Sequence, residues 1–255
     1  MHAQIFAHFG ERHSRFESNL NSLVRVACDI LYAAEFVNPQ ETSVSNAAPT
    51  AHRDSAAASD WLKIQDALNL VGQHLEKPTR LVLIGSSVGM WYGQPGRMTE
   101  DVDIWSPRSE VDYADIKQAC EKAGIHFDPR GYDVPRDGLY LQIVTPGVVH
   151  VGQWKDEARM FKSGKLEVVH PPAENIIASK LVRAAAHDID DIVFLMTRLQ
   201  IGLNQVRAAV ETLPEVPRET AQENMVFLEI REELLGDVNE FVERKKPKAA
   251  RGARP

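Results

Sequence analysis

Between Thr79 and Trp105 an apolar run, Leu81-Val82-Leu83-Ile84, ends at Gly85-Ser86, and after fourteen intervening residues comes Asp101-Val102-Asp103. This pattern predicts a strand, a glycine turn, a helix and a second strand that carries two carboxylates. Successive side chains of a strand alternate faces, so Asp101 and Asp103 point the same way and can hold the same cation or cation pair. Gly85 lets the backbone approach an anion closely. Ser86 falls where a helix N-terminus would offer N–H groups to a phosphate. Either feature alone is common in ordinary scaffold, where acidic pairs at strand starts are simply solvated. In this order and between two apolar segments, they point to phosphate and divalent-cation chemistry together.

Further along, Leu166 to Val169 reads as a strand, Pro171-Pro172 breaks it, and a long helical pattern begins near Ala173. On a continuous helix Lys180, Arg183, His187 and Asp191 would line one exposed face, opposite Ile177, Leu181 and Ala185. Replacing Lys180 by alanine on such a face should cost little stability. Asp188 has two readings. It is either the N-cap of a second helix starting at Ile189, with Asp191 in the favourable first turn, or part of a functional cluster.

Gly85-Ser86 followed by Asp101-Val102-Asp103 resembles the signature of the nucleotidyltransferase (polymerase β-like) superfamily. The run from Glu174 to Leu195 is similar to a motif of its bacterial AbiEii toxin-type branch, where a helical Lys is followed by a basic-Asp-x-x-Asp cluster. The matching positions are Lys180, His187, Asp188 and Asp191, with His187 where the family usually has Lys or Arg. The resemblance spans roughly Ser59 to Leu213. It implies an α+β fold, a nucleotidyltransferase-like mixed sheet flanked by helices with a helical C-terminal part. The implied reaction is Mg²⁺-dependent transfer of a nucleoside monophosphate from an NTP to an acceptor hydroxyl, with loss of pyrophosphate.

By the same resemblance Asp101, Asp103, Lys180 and Asp188 are the catalytic residues, and Asp101 and Asp103 bind Mg²⁺. Gly85, Ser86, Lys180 and Arg183 bind the nucleotide. Two-metal members usually add a third carboxylate on a later strand, and the natural position within Leu139–Val144 holds Gln142. Either Asp188 substitutes from the helix, or the site holds one firm metal. Members of the branch act as toxins of toxin–antitoxin pairs, some adding nucleotides to tRNA ends, so tRNA and a cognate antitoxin are implied partners. A different class stays open: a catalytically degenerate nucleotide-binding or partner-binding protein, which Gln142 and His187 favour.

The rest of the 255 residues is less specific. Residues 1–37 carry an amphipathic helical pattern, and residues 38–58 form a linker too poor in apolar side chains to repay ordering entropy. The transferase domain is expected over 59–200, opening with a helix to Leu75 capped by Ser59 or Asp60. Asp112 to Gly124 reads as a helix, and Leu139–Val144 with Val148–Val151 as a hairpin across Pro146-Gly147. Residues 201–243 form a helical C-terminal part, with helices around 205–213 and 219–235.

The basic tail, 244–255, is either a phosphate-backbone clamp or a solubilising end. A net charge of −7 argues against a protein coated for nucleic acid, so any RNA contact must be local. Cys28 and Cys120 have no metal-ligand spacing, which suits free thiols in a reducing compartment, and His2, His8 and His13 lack partners at ligand spacing. The first residues lack a charged and an apolar signal region, and no run of eighteen apolar residues occurs. The expectation is a cytoplasmic protein with no membrane contact.

Overall fold

A computed structural model of the chain describes residues 57–130, 133–135 and 138–232. The N-terminal helix pattern, most of the linker and the basic tail lie outside the described residues. The chain divides into two compact units. The described residues up to 224 belong to the unit that carries the site, and of the other only 225–232 are described, helical from 226 to 232.

The larger unit is mixed α+β. Helix α1 (Ala57–His74) is already under way before Ser59 and Asp60, so neither begins it. Its residues Trp61, Ile64, Leu68 and Val71 recur at helical spacing and are all buried. Strand β1 (Thr79–Val82) leads into the short helix α2 (Ser86–Trp91), and β2 (Asp101–Trp105) follows. Helix α3 (Tyr113–Ala123) opens on Asp112, whose carboxylate accepts the Asp115 N–H, and closes on Gly124 at φ 70°. Both boundaries match the sequence expectation.

The strands form two three-stranded sheets. In one, β6 (Leu166–His170) lies between β1, parallel to it, and β5 (Ala158–Ser163), antiparallel. In the other, β4 (Tyr140–Val144) lies between β2 and the two-residue β3 (His126–Phe127), parallel to both. The hairpin expected across Pro146-Gly147 does not form. Its second arm is loop, held to the turn by a Pro146–Val149 bridge and a Val148 N–H bond to the Thr145 carbonyl at 3.2 Å, and the hairpin of this region is β5–β6. Apolar alternation marked β4 as a strand but could not say which strands it would join.

The two sheets meet where β1 runs out. Leu83 forms a bridge to Ile104, its N–H donates to the Val169 carbonyl at 2.8 Å, and the Ile84 N–H donates to the Asp103 carbonyl at 3.0 Å. The residues just before Gly85 are thus pinned between β6 and β2. Leu81, Leu83, Val102 and Ile104 face a core shared with α1 and with Ile116, Ala119 and Cys120 of α3. By strand alternation Val82, Ile84, Asp101 and Asp103 take the opposite face.

Helix α4 (Ala173–Arg183) starts directly after Pro171-Pro172, as expected, and buries Ile176, Ile177 and Leu181. It does not continue. Ala184 adopts a left-handed conformation, φ 44° and ψ 40°, with its N–H on the Lys180 carbonyl, and α5 (Ala186–Leu199) begins anew. Helices α6 (Leu203–Val210) and α7 (Glu215–Asn224) pack on α4, where Asn224 Nδ2 donates to the Leu181 carbonyl at 2.7 Å. The C-terminal part is thus helical as far as Asn224, and these two helices belong to the same compact unit as the strands. The chain breaks helix at Met225, inside the segment expected to be one helix over 219–235.

Candidate active site

Gly85 holds φ at 73°, where a side chain would be strained, and a Cβ built on it would stand 2.6 Å from Asp103 Oδ2. Glycine is required twice over, by backbone conformation and by the carboxylate packed against it. Ser86 is the first residue of α2, and its Oγ accepts a hydrogen bond from Arg97 Nη2.

On β2 the two acidic residues differ. Asp101 Oδ1 accepts from the Thr99 hydroxyl. The Asp103 carboxylate accepts no hydrogen bond from the described residues; burial, then the Asp101 charge, push its pKa up to about 6 against the pull of Lys180 and Arg183. The β2–β4 register sets Tyr140 beside Asp101 and Gln142 beside Asp103. Gln142 thus occupies the position anticipated for a third carboxylate. The Tyr140 phenol is raised by desolvation and by Asp101, Asp103 and Glu100.

The helical cluster differs most from expectation. Because the chain breaks at Ala184, Lys180 and Arg183 come from α4 while His187, Asp188 and Asp191 come from α5. Lys180 is not on a wet face: its side chain is 8 % exposed, and its Nζ lies 2.6 Å from Asp191 Oδ2 and 3.4 Å from Asp188 Oδ1. Arg183 grips Asp188 as a fork, Nε to Oδ2 at 2.6 Å and Nη2 to Oδ1 at 2.7 Å. The Asp191 Oδ1 accepts from Gln94 Nε2 at 2.6 Å and Arg97 Nε at 3.1 Å. Arg97, Asp191, Lys180, Asp188 and Arg183 form a chain of alternating charge across three segments, with both carboxylates 1 % exposed or less.

Asp188 stands third in α5, and its Oδ2 also accepts the Ala185 N–H at 3.2 Å. It caps the helix from inside the first turn, two residues into a helix that starts before Ile189. Burial opposes its charge, but the Arg183 hydrogen bonds and the charges of Lys180, Arg183 and His187 outweigh burial and hold its carboxyl below the usual range. Its oxygens are committed to cations. Among the described residues no three of His, Cys, Asp and Glu converge as metal ligands, so Asp188 does not complete a set with Asp101 and Asp103.

A cavity of about 160 Å³ opens at this point, and Gly85, Asp103, Lys180, Arg183, Asp188 and His150 are among the residues lining it. The structure thus gathers five of the seven residues singled out from sequence around one space. Ser86 follows Gly85 and is held by Arg97. Asp101 does not line the cavity, although its charge reaches Asp103. Sequence reasoning missed Gln94, Arg97 and His150. These sit in loops without periodicity, and no pattern marks them. No family model, curated protein or solved structure matches the chain. Among the described residues no helix is long and apolar enough to cross a membrane.

Proposed function

We propose that the chain is a Mg²⁺-dependent nucleotidyltransferase that moves a nucleoside monophosphate from an NTP to an acceptor hydroxyl. The observation that carries this reading is the packing of Asp103 against Gly85, across a cavity from Lys180 and Arg183. A phosphate-approach turn, one carboxylate of the acidic pair and two cations then line one space.

The donor set suits the metal. Mg²⁺ takes one or two carboxylates and completes its shell with water and substrate phosphates. Asp103, raised to about 6 and without a hydrogen-bond donor among the described residues, is a carboxylate in want of a counter-charge. Asp101 and Asp103 would hold the ion, which when bound supplies charge neutralisation at the phosphates and a lowered pKa for the attacking hydroxyl. The Gly85-Ser86 turn would orient the phosphates, and Lys180 and Arg183 would offset the negative charge that builds on the leaving pyrophosphate. Asp188 and Asp191 would keep these cations in place.

Gln142 beside Asp103 favours a second reading, nucleotide binding without transfer, because an amide cannot accept a proton or add charge to a metal site. One experiment separates the two. The full chain is incubated with Mg²⁺, each α-labelled NTP and total RNA or protein. Label transferred to a macromolecule, and lost in Asp101→Asn/Asp103→Asn, supports the transferase and, if the product is tRNA, a toxin-type role. NTP-induced stabilisation without label supports the binding protein. Neither response in any NTP sinks both.

A further inference from the structure

We infer that Arg97 is a specificity residue that reads the terminal phosphates of the nucleotide, a role resting on the transferase reading. Its guanidinium ties three segments. Nη2 donates to the Ser86 hydroxyl of the turn, Nε to Asp191 on α5 at 3.1 Å, and Nη1 to the Met98 carbonyl of its own loop at 3.0 Å. A guanidinium has five N–H donors, so two remain. The side chain keeps 25 % of its surface exposed; Arg97 is not among the residues lining the cavity but is tied through Ser86 to Gly85, which is.

Two consequences follow from the bonding. Because Ser86 Oγ accepts from Arg97, its own O–H remains available to donate, and a cationic donor to a hydroxyl strengthens the bond that hydroxyl donates. Second, Asp191 fixes Arg97 and Lys180 with its two oxygens, so one buried carboxylate sets the spacing of two cations from different elements. Gln94 Nε2, from the same loop as Arg97, adds a third donor to Asp191 and anchors the loop against α5. A hydroxyl, two guanidinium N–H groups and an ammonium suit a chain of phosphates carrying several negative charges. A monophosphate would leave part of this set unused. Arg97 therefore separates NTP from NMP, while Asp101 and Asp103 answer to the cation.

The test measures binding of ATP, GTP, CTP and UTP and of the four monophosphates to the full chain in Mg²⁺, by calorimetry, for wild type, Arg97→Lys and Arg97→Gln. Arg97→Gln should weaken NTP binding about ten- to hundred-fold, the loss expected for charge-assisted hydrogen bonds, and leave monophosphate binding unchanged. Arg97→Lys keeps a charge on Asp191 but cannot fork to Ser86, so it should fold and lose a smaller part of NTP affinity. It carries the test if the glutamine variant fails to fold. NTP affinity equal to wild type in the folded variants, or equal losses for NTP and NMP, overturns the role of Arg97 and leaves the transferase reading standing. A wild-type chain that binds no NTP overturns both.

Discussion

Asp103→Asn should make the metal-free protein more stable at pH 8, because the native state carries a carboxylate that it holds poorly. The pKa of Asp103 rises from 3.8 to about 6 on folding, since burial and the Asp101 charge outweigh Lys180 and Arg183. A folded pKa above the unfolded one means that the protonated form favours folding. That contribution is complete below the unfolded value and is lost as pH rises through about 6. A shift of roughly two units at 1.36 kcal/mol each gives about 3 kcal/mol as the ceiling at pH 8, less what water at the partly exposed carboxylate screens.

Asparagine keeps the shape and removes the charge, so it should recover most of this. The gain should be full at pH 8, near half at pH 5, and absent below pH 4. Urea melts of both proteins in chelator across that range give the difference directly. A gain that does not change with pH, or an asparagine variant less stable than wild type at pH 8, would refute the placement of Asp103 as a strained charge. Adding Mg²⁺ should stabilise wild type and close the gap.

Asp188→Asn should show the opposite pH dependence. Its carboxyl is depressed, so the wild-type contribution is present above the ordinary carboxylate range and is lost as pH falls through the folded value. The variant should be less stable by on the order of 2 kcal/mol at pH 7, and urea melts should show the difference vanishing only in acid. Lys180→Met leaves two buried carboxylates short of a cation and should cost about 3–5 kcal/mol in the same assay, with part recovered in the double variant with Asp191→Asn. A cost under 1 kcal/mol would return Lys180 to an exposed face. Gly85→Ala should cost about 1–3 kcal/mol from its backbone angle alone, and its Cβ should displace Asp103. NTP-induced stabilisation in Mg²⁺ should then be lost, and a shift equal to wild type would remove the turn from the site.

The elements that could be read from the chain are those whose information is local. The apolar run before Gly85, the Asp112 cap and Gly124 stop of α3, and the proline break before α4 each act on neighbouring residues, so their consequences are visible in order along the sequence. The alternation that put Asp101 and Asp103 on one face is likewise a property of any strand. Strand partners are not local. Nothing within Leu139–Val144 says that it will run parallel between β2 and β3, and so the hairpin expected with Val148–Val151 gave way to the sheet.

The break at Ala184 was hidden because alanine favours helix. Only the packing of two helices repays its left-handed angle, and that break swings Asp188 and Asp191 onto Lys180. A lysine that looks wet on a helical wheel becomes a buried counter-ion once a second helix covers it. The same holds for Arg97. Its residue type was plain in the sequence, but its hold on Ser86 depends on where α5 places Asp191, and that is decided by contacts nearly a hundred residues apart in the chain.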